Sequence, residues 1–257
     1  MISYCIACFR PAYARLLIED LIGKTTAKFE ILVWLNVENA AFESFLAESI
    51  KKQHPIIIIG KTPENIGMQA YLELFRRSRY ELIVQIDDDV VMVSRRIAEG
   101  AMEIFTQFKD IKQLVADVWQ DEYTTGARPA MEAYRVVNEN YGLYDGPIDG
   151  WFSIYHRSIL PLISALPQAP YFPLGLLAKQ KLQRQGLKGL LCTRFKVFHV
   201  IGPQYASFFN MLDFEIDKYK KLGRREIVQW YERERRHLPE APALEENVEK
   251  IRQELSQ

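Results

Sequence analysis

Three carboxylates stand side by side at Asp87, Asp88 and Asp89, directly after the apolar run that ends at Ile86. Like charges this close repel one another, and an apolar run offers them no counter-charge. A hard divalent cation resolves the conflict. One or two carboxylates hold it while phosphate oxygens and water fill the remaining positions, the usual arrangement for Mg²⁺ or Mn²⁺. A solvated acidic turn has the same composition, but the abrupt change from apolar run to acid favours a metal site. Upstream, Asn65-Ile66-Gly67 precedes a helical pattern. Asn and Gly close tight turns, so this stretch reads as a loop-to-helix junction with room for a nucleotide beside it.

Cys5 and Cys8 have the spacing of a redox pair, or of half a zinc site completed by Cys192 and His199. In a strand, however, positions i and i+3 point to opposite faces. They therefore read as small apolar residues of a buried first strand. Three cysteines form no disulfide framework, which fits a reducing compartment.

The elements that must position the acids repeat a rhythm. Apolar runs at 3–8, 30–35, 55–59 and 81–86 are continuous rather than alternating. Between them Tyr13, Leu16, Leu17 and Leu21, then Phe42, Phe45, Leu46 and Ile50, then Tyr71, Leu74 and Phe75 recur at helical spacing. Pro11 opens the first of these segments, where a helix accepts proline. Continuous apolar strands separated by helices describe parallel strands covered on both faces, an α/β sheet of the nucleotide-binding type. Ligands of such sheets bind at the C-terminal strand ends, where the triplet lies. Beyond it, Ile97, Ala101, Ile104, Phe105 and Phe108 predict a helix, 113–119 a strand and 120–147 a long irregular connection. Further strands are expected at 150–155 and 195–200, with a helix at 176–185.

The chain has 257 residues, 33 Lys+Arg against 33 Asp+Glu, and 48% hydrophobic residues. That composition is globular, and the charge balance argues against a nucleic-acid partner. No apolar run approaches the roughly 20 residues of a membrane span, and the first residues lack the pattern of a secretory signal. The chain reads as cytoplasmic. Residues 215–257 hold ten acidic and ten basic residues. They read as solvated helices packed on the core or on a second subunit, which would suit a homodimer. Peripheral contact with a membrane is the alternative, weakened by the balanced charge.

In combination these features resemble the family 2 glycosyltransferases and their GT-A fold relatives. The order carries the likeness: a first strand and its loop (Cys8-Phe9-Arg10-Pro11), a second strand ending at Leu35-Asn36 with Glu38 near, the Asn65-Ile66-Gly67 turn, and a strand ending in the D-x-D motif of Asp87-Asp88-Asp89. The likeness covers roughly residues 2–205. It implies a GT-A-like α/β fold with a mostly parallel central sheet over residues 1–212, followed by a charged helical extension at 213–257. It also implies a metal-dependent transfer of sugar from a nucleoside diphosphate-sugar to a hydroxyl acceptor such as a saccharide.

Carried over by position, the resemblance puts Asn36 at the nucleotide base, where such enzymes often have Asp, and Asp88 near the ribose. Cys8, Phe9, Arg10, Glu38, Lys61, Asn65 and Gly67 complete the donor side, with Arg10 and Lys61 toward the diphosphate. Asp89 becomes the principal metal ligand, with Asp87 in support. His199 stands where many GT-A enzymes supply a late His, and an imidazole ligand tilts the choice toward Mn²⁺. Gly150, Trp151 and Phe152, with Tyr171 and Phe172, would line the sugar or acceptor site by stacking.

One piece is missing. The Glu-Asp pair that usually supplies the acceptor's base has no counterpart at Phe172-Pro173-Leu174-Gly175-Leu176. Asp149 is the first substitute, then Asp145 and Glu122. A retaining mechanism, in which the departing phosphate takes the proton, needs no such base. A nucleotide-sugar-binding protein without catalysis is a third reading. A nucleotidyltransferase is the rival in a different enzyme class, but the loop at 7–11 is poor in the glycines and basic residues it would need.

Overall fold

The computed structural model describes residues 1–124, 128–166 and 173–256. Three βα units and a fourth strand open the chain, as the apolar rhythm predicts. They are β1 (Ile2–Cys8), α1 (Pro11–Lys24), β2 (Phe29–Leu35), α2 (Ala40–Lys51), β3 (Ile56–Lys61), α3 (Met68–Arg77) and β4 (Leu82–Ile86), then β5 (Val90–Val93) and α4 (Ile97–Gln107). There follow β6 (Ile111–Val118), β7 (Arg135–Asn138), β8 (Leu143–Asp145), β9 (Phe152–His156), α5 (Leu160–Ser164), α6 (Leu174–Gln183) and β10 (Lys188–His199). Four helices end the chain: α7 (Pro203–Phe208), α8 (Leu212–Lys221), α9 (Arg225–Glu234) and α10 (Ala241–Glu254).

The strands form one 10-stranded sheet in the order β3-β2-β1-β4-β9-β6-β10-β8-β7, with β5 paired to β10. The first four strands are parallel, as expected. The sheet as a whole is mixed rather than mostly parallel. β9 runs antiparallel between β4 and β6, and β8, β7 and β5 add further antiparallel pairs. A short connection can only return a strand antiparallel to its neighbour, whereas parallel pairing needs a crossover helix. The connection at 120–147 accordingly contains the β7–β8 hairpin rather than irregular chain alone.

Helices cover both faces. Ala14, Leu17, Ile18 and Leu21 of α1, with Ala101, Ile104 and Phe105 of α4, pack on one face. Tyr71, Leu74 and Phe75 of α3, with Leu174, Ala178 and Leu182 of α6, pack on the other. Cys8 belongs to the first layer and Cys5 to the second, so the pair diverges across the sheet. All three cysteines are free and buried. Among the described residues no helix is long and apolar enough to cross a membrane.

Trp151 and Phe152 are core residues and not part of an open sugar site. Phe152 is 0% exposed and pairs with Ile86 in the sheet interior. Trp151 is buried and donates its indole N–H to the carbonyl of Ala116 at 2.7 Å. Tyr171 and Phe172 lie outside the described residues. Replacing Phe152 by Ala removes a ring with no solvent path to fill the space. Urea unfolding should show a loss of about 3–5 kcal/mol, the cost of a buried Phe→Ala cavity.

Candidate functional site

The acidic triplet forms the turn between β4 and β5. The amide of Val90 closes it on the carbonyl of Asp87 at 3.1 Å, and the amide of Asp87 is tied to the carbonyl of Trp151 at 3.0 Å. β5 then pairs antiparallel with the end of β10, whose register shifts between Phe198 and His199. That bulge turns His199 onto the triplet, because an extra residue in one strand re-aims the side chain after it. His199 Nε2 lies 2.9 Å from Asp89 Oδ1, and the amide of Val200 donates to the carbonyl of Asp89 at 2.8 Å. Residues 110 positions apart thus share one hydrogen bond.

The three acids have different surroundings. Asp88 faces the loop after β1 and accepts the amides of Phe9 and Arg10 as well as an Arg10 guanidinium N–H. The ribose role expected of Asp88 competes with these bonds, since its oxygens already fasten β4 to the start of α1. Asp89 lies between His199 and Arg10, whose Nη2 is 3.0 Å from Asp89 Oδ2. Arg10 also bonds Glu215 of α8 through Nε at 2.6 Å. One guanidinium therefore joins three carboxylates. Among the described residues the Asp87 side chain accepts only a long contact of 3.5 Å from the Tyr71 hydroxyl, which bonds the Ile86 carbonyl at 2.6 Å.

These surroundings separate the acids electrostatically. Burial and then the neighbouring Asp89 charge push the Asp87 carboxyl up to about 7, against the pull of His199. Burial also opposes ionisation of Asp89, but Arg10 and His199 outweigh it and hold that carboxyl below the usual carboxylate range. Burial disfavours the His199 imidazolium, yet Asp89 raises its pKa above the ordinary histidine value.

Ligand atoms of Asp87, Asp89 and His199 all lie within 4.8 Å of one another. His199 Nδ1 is buried without a hydrogen-bond partner among the described residues. Two carboxylate oxygens and an imidazole nitrogen suit a divalent cation of the Mn²⁺ type, and an under-coordinated buried imidazole fits such a role.

The triplet opens on a cleft of about 530 Å³ lined also by Phe9, Arg10, Asn36, Asn65 and Gly67. Strand order explains the convergence, since the C-terminal ends of β1, β2, β3 and β4 lie side by side. Asn36 Oδ1 accepts the Ile66 amide and the Thr62 hydroxyl, both at 3.2 Å, which fixes the turn before α3. Asp149 lines the cleft from the β9 side. Burial raises its carboxyl, and the amides of Gly150, Leu176 and Gly175 offset part of that rise.

Several expected residues lie elsewhere. Cys8 is 0% exposed in the core. Lys61, on the edge strand β3, pairs with Glu43 at 2.8 Å outside the cleft. Glu38 is exposed beyond the strand end. Gly150 packs against the Gln85 side chain in the sheet. Of the alternative bases, Asp145 is held by Lys179 at 2.6 Å and Glu122 lies beside α10. Sequence reasoning missed Met68, Pro173, Lys218, Tyr219, Leu222 and Arg224, which also line the cleft. The last four come from the charged C-terminal stretch. No local pattern distinguishes them there, and the only signal would have been an acid such as Glu215 that turns out buried.

The fold is that of the GT-A glycosyltransferases. Among solved structures the chain is similar to GalNAc-T7 in complex with UDP, GalNAc and Mn²⁺, with a TM-score of 0.62 at 12% identity over 79% of this chain and 43% of that one. It is also similar to the Pyrobaculum calidifontis mannosyltransferase PcManGT in complex with GDP-Man and Mn²⁺, with a TM-score of 0.58 at 12% identity over 87% of this chain and 64% of that one. S. aureus TarS 1-349 in complex with UDP-GlcNAc matches with a TM-score of 0.58 at 9% identity, over 82% of this chain and 63% of that one. The chain thus spans less than two thirds of the length of these structures. No protein-family model matches the sequence, and no curated protein matches it.

The buried charges set a pH dependence for the metal-free protein. An acid with a raised folded pKa, such as Asp87, loses its contribution as pH rises from the ordinary carboxylate range to about 7. His199, raised by its partner, contributes below its ordinary value and loses that as pH rises through its folded pKa. Asp89, depressed, loses its contribution only in strong acid. Thermal melts without metal should show greater stability near about pH 6 than near about pH 8. Mn²⁺ should restore most at the higher pH, where the ligands are deprotonated. Asp87→Asn should flatten the profile, raise the metal-free melting temperature at high pH and abolish the response to Mn²⁺.

Proposed function

We propose that this chain is a metal-dependent glycosyltransferase that moves a hexose-type sugar from a nucleoside diphosphate-sugar to a hydroxyl acceptor. The observation that carries the reading is the convergence of Asp87, Asp89 and His199 within 4.8 Å, with both aspartates lining a cleft of about 530 Å³. In this reading those three residues hold Mn²⁺ or Mg²⁺, which when bound supplies positive charge to the diphosphate as a Lewis acid. Phe9, Asn36, Asn65 and Gly67 hold the nucleoside side. The complexes of the similar structures with UDP, GDP-Man or UDP-GlcNAc support a donor of this class.

Asp149 takes the role of base toward the acceptor hydroxyl. Apart from the triplet, it is the carboxylate lining the cleft among the described residues. Its raised carboxyl makes it a stronger base than an ordinary aspartate. The backbone at the start of α6 packs against it at Gly175.

Two measurements test the reading. A thermal-shift screen of nucleoside diphosphates with Mn²⁺ should single out one base. At a hundredfold excess over Kd the stabilisation is about 2.7 kcal/mol, and Asp89→Ala should remove it. Stabilisation by none of them would overturn the donor site. Asp149→Asn keeps an oxygen toward the α6 amides but cannot accept the proton. It should bind donor normally and lose transfer by about 10²–10⁴-fold. Unimpaired transfer would move the base elsewhere and favour a retaining mechanism. Donor binding with neither transfer nor hydrolysis would mark a nucleotide-sugar-binding protein.

A further inference from the structure

One wall of the cleft comes from the C-terminal stretch, which reads in sequence as a solvated face. Lys218 and Tyr219 of α8 and Leu222 and Arg224 beyond it share the cleft with the acids. This wall is anchored. Glu215 is 4% exposed and bonds Arg10 Nε at 2.6 Å. Phe214 packs on Phe9 with ring centroids 5.5 Å apart, and Leu212, Ile216 and Tyr231 form a core of their own. Gly223, at φ +66°, ends α8 in the left-handed region and reverses the chain, so that Arg224 returns to the cleft.

The cationic side chains on the cleft are not equivalent. Arg10 is committed to Asp88, Asp89 and Glu215. Lys218 shares Glu215 with it. Arg224 is exposed and makes no ion pair among the described residues. Once the sugar leaves, the freed nucleoside diphosphate carries more negative charge than one divalent cation cancels, and the carboxylates around it add repulsion. A guanidinium fork answers both, because its N–H groups match phosphate oxygens.

We propose that Arg224, with Lys218 beside it, is the protein's own grip on the donor diphosphate, contributed by the C-terminal wall of the cleft. This deepens the donor-site reading and rests on it. The grip acts on the phosphates alone. It leaves base recognition and metal binding to the sheet side, and it makes the charged C-terminal helices part of the donor site.

The experiment is isothermal titration of the full chain with the nucleoside diphosphate singled out above, with the matching nucleoside, and with pyrophosphate, each with Mn²⁺. Arg224→Gln should weaken the diphosphate and pyrophosphate by about tenfold, the worth of one charge-assisted hydrogen bond. Nucleoside and Mn²⁺ affinities should stay unchanged. Arg224→Lys should fall between, and the neighbouring Arg225→Gln should match wild type. Because Lys218 is half-buried and pairs with Glu215, Lys218→Gln is read only against its own melting curve, and Arg224 carries the test. Unchanged diphosphate affinity in Arg224→Gln, or equal losses for nucleoside and diphosphate, would overturn the grip while leaving the donor site standing. Failure of wild type to bind any nucleoside diphosphate would overturn the donor reading and the grip with it.

Discussion

Holding three adjacent carboxylates at one strand end, Asp88 and Asp89 buried and Asp87 half-buried, is the constraint around which the molecule is organised. Isolated ionised groups in a protein interior are too costly to keep, so each must find a partner or a proton. Asp88 takes the amides at the start of α1 together with Arg10. Asp89 takes Arg10 and His199. Asp87, with the poorest company, has its carboxyl pushed up to about 7. Arg10 in turn recruits Glu215, which brings α8 against the sheet. The chain of compensation therefore runs from the end of β4 to the C-terminal helices.

That arrangement is strained in a useful direction. Asp87 and His199 face the same few ångströms of space, and His199 Nδ1 has no hydrogen-bond partner among the described residues. A dication entering there would meet one carboxylate that is poorly compensated and another held ionised. Structural and functional demands would then coincide, because the charge that destabilises the metal-free fold is the charge that would attract a metal. Arg10 keeps the cluster folded until then by bridging Asp88 and Asp89.

The cleft also shows a division of labour in the fold. The parallel strands β1 to β4 supply the acids and the polar turn residues from one layer. The antiparallel strand β9 leads in from Asp149, and β10 delivers His199 across its bulge. The C-terminal helices add the basic wall. The resemblance to GT-A structures holds at the level of the fold even though identity is at most 12% among the three compared. Such a fold tolerates this divergence because strand packing asks only for apolar residues of suitable volume.

The sequence by itself determined the parallel βα units, the end of β4 as the side on which the cleft lies, and the acidic triplet. These rest on short-range regularities, namely continuous apolar runs, helical spacing between them, and a break from apolar to acidic at one strand end. It also brought forward Asn36, Asn65, Gly67, Asp149 and His199, of which the first four line the cleft and the last bonds Asp89. Tertiary structure decided what lies far apart in the chain. Lys61 and Glu38 follow the right strands yet miss the cleft, because the strand end alone does not fix where a side chain goes. Trp151 and Phe152 are near Asp149 in sequence but belong to the core, since strand pairing carries them into the sheet. The opposite error concerns Glu215, Lys218 and Arg224, whose charged surroundings resemble any solvated helix. Only the partner charge on Arg10, 205 residues away from Glu215, distinguishes a helix that closes a site from one that merely covers it. Local pattern records what a segment can bury, and the identity of its partner is a property of the folded chain alone.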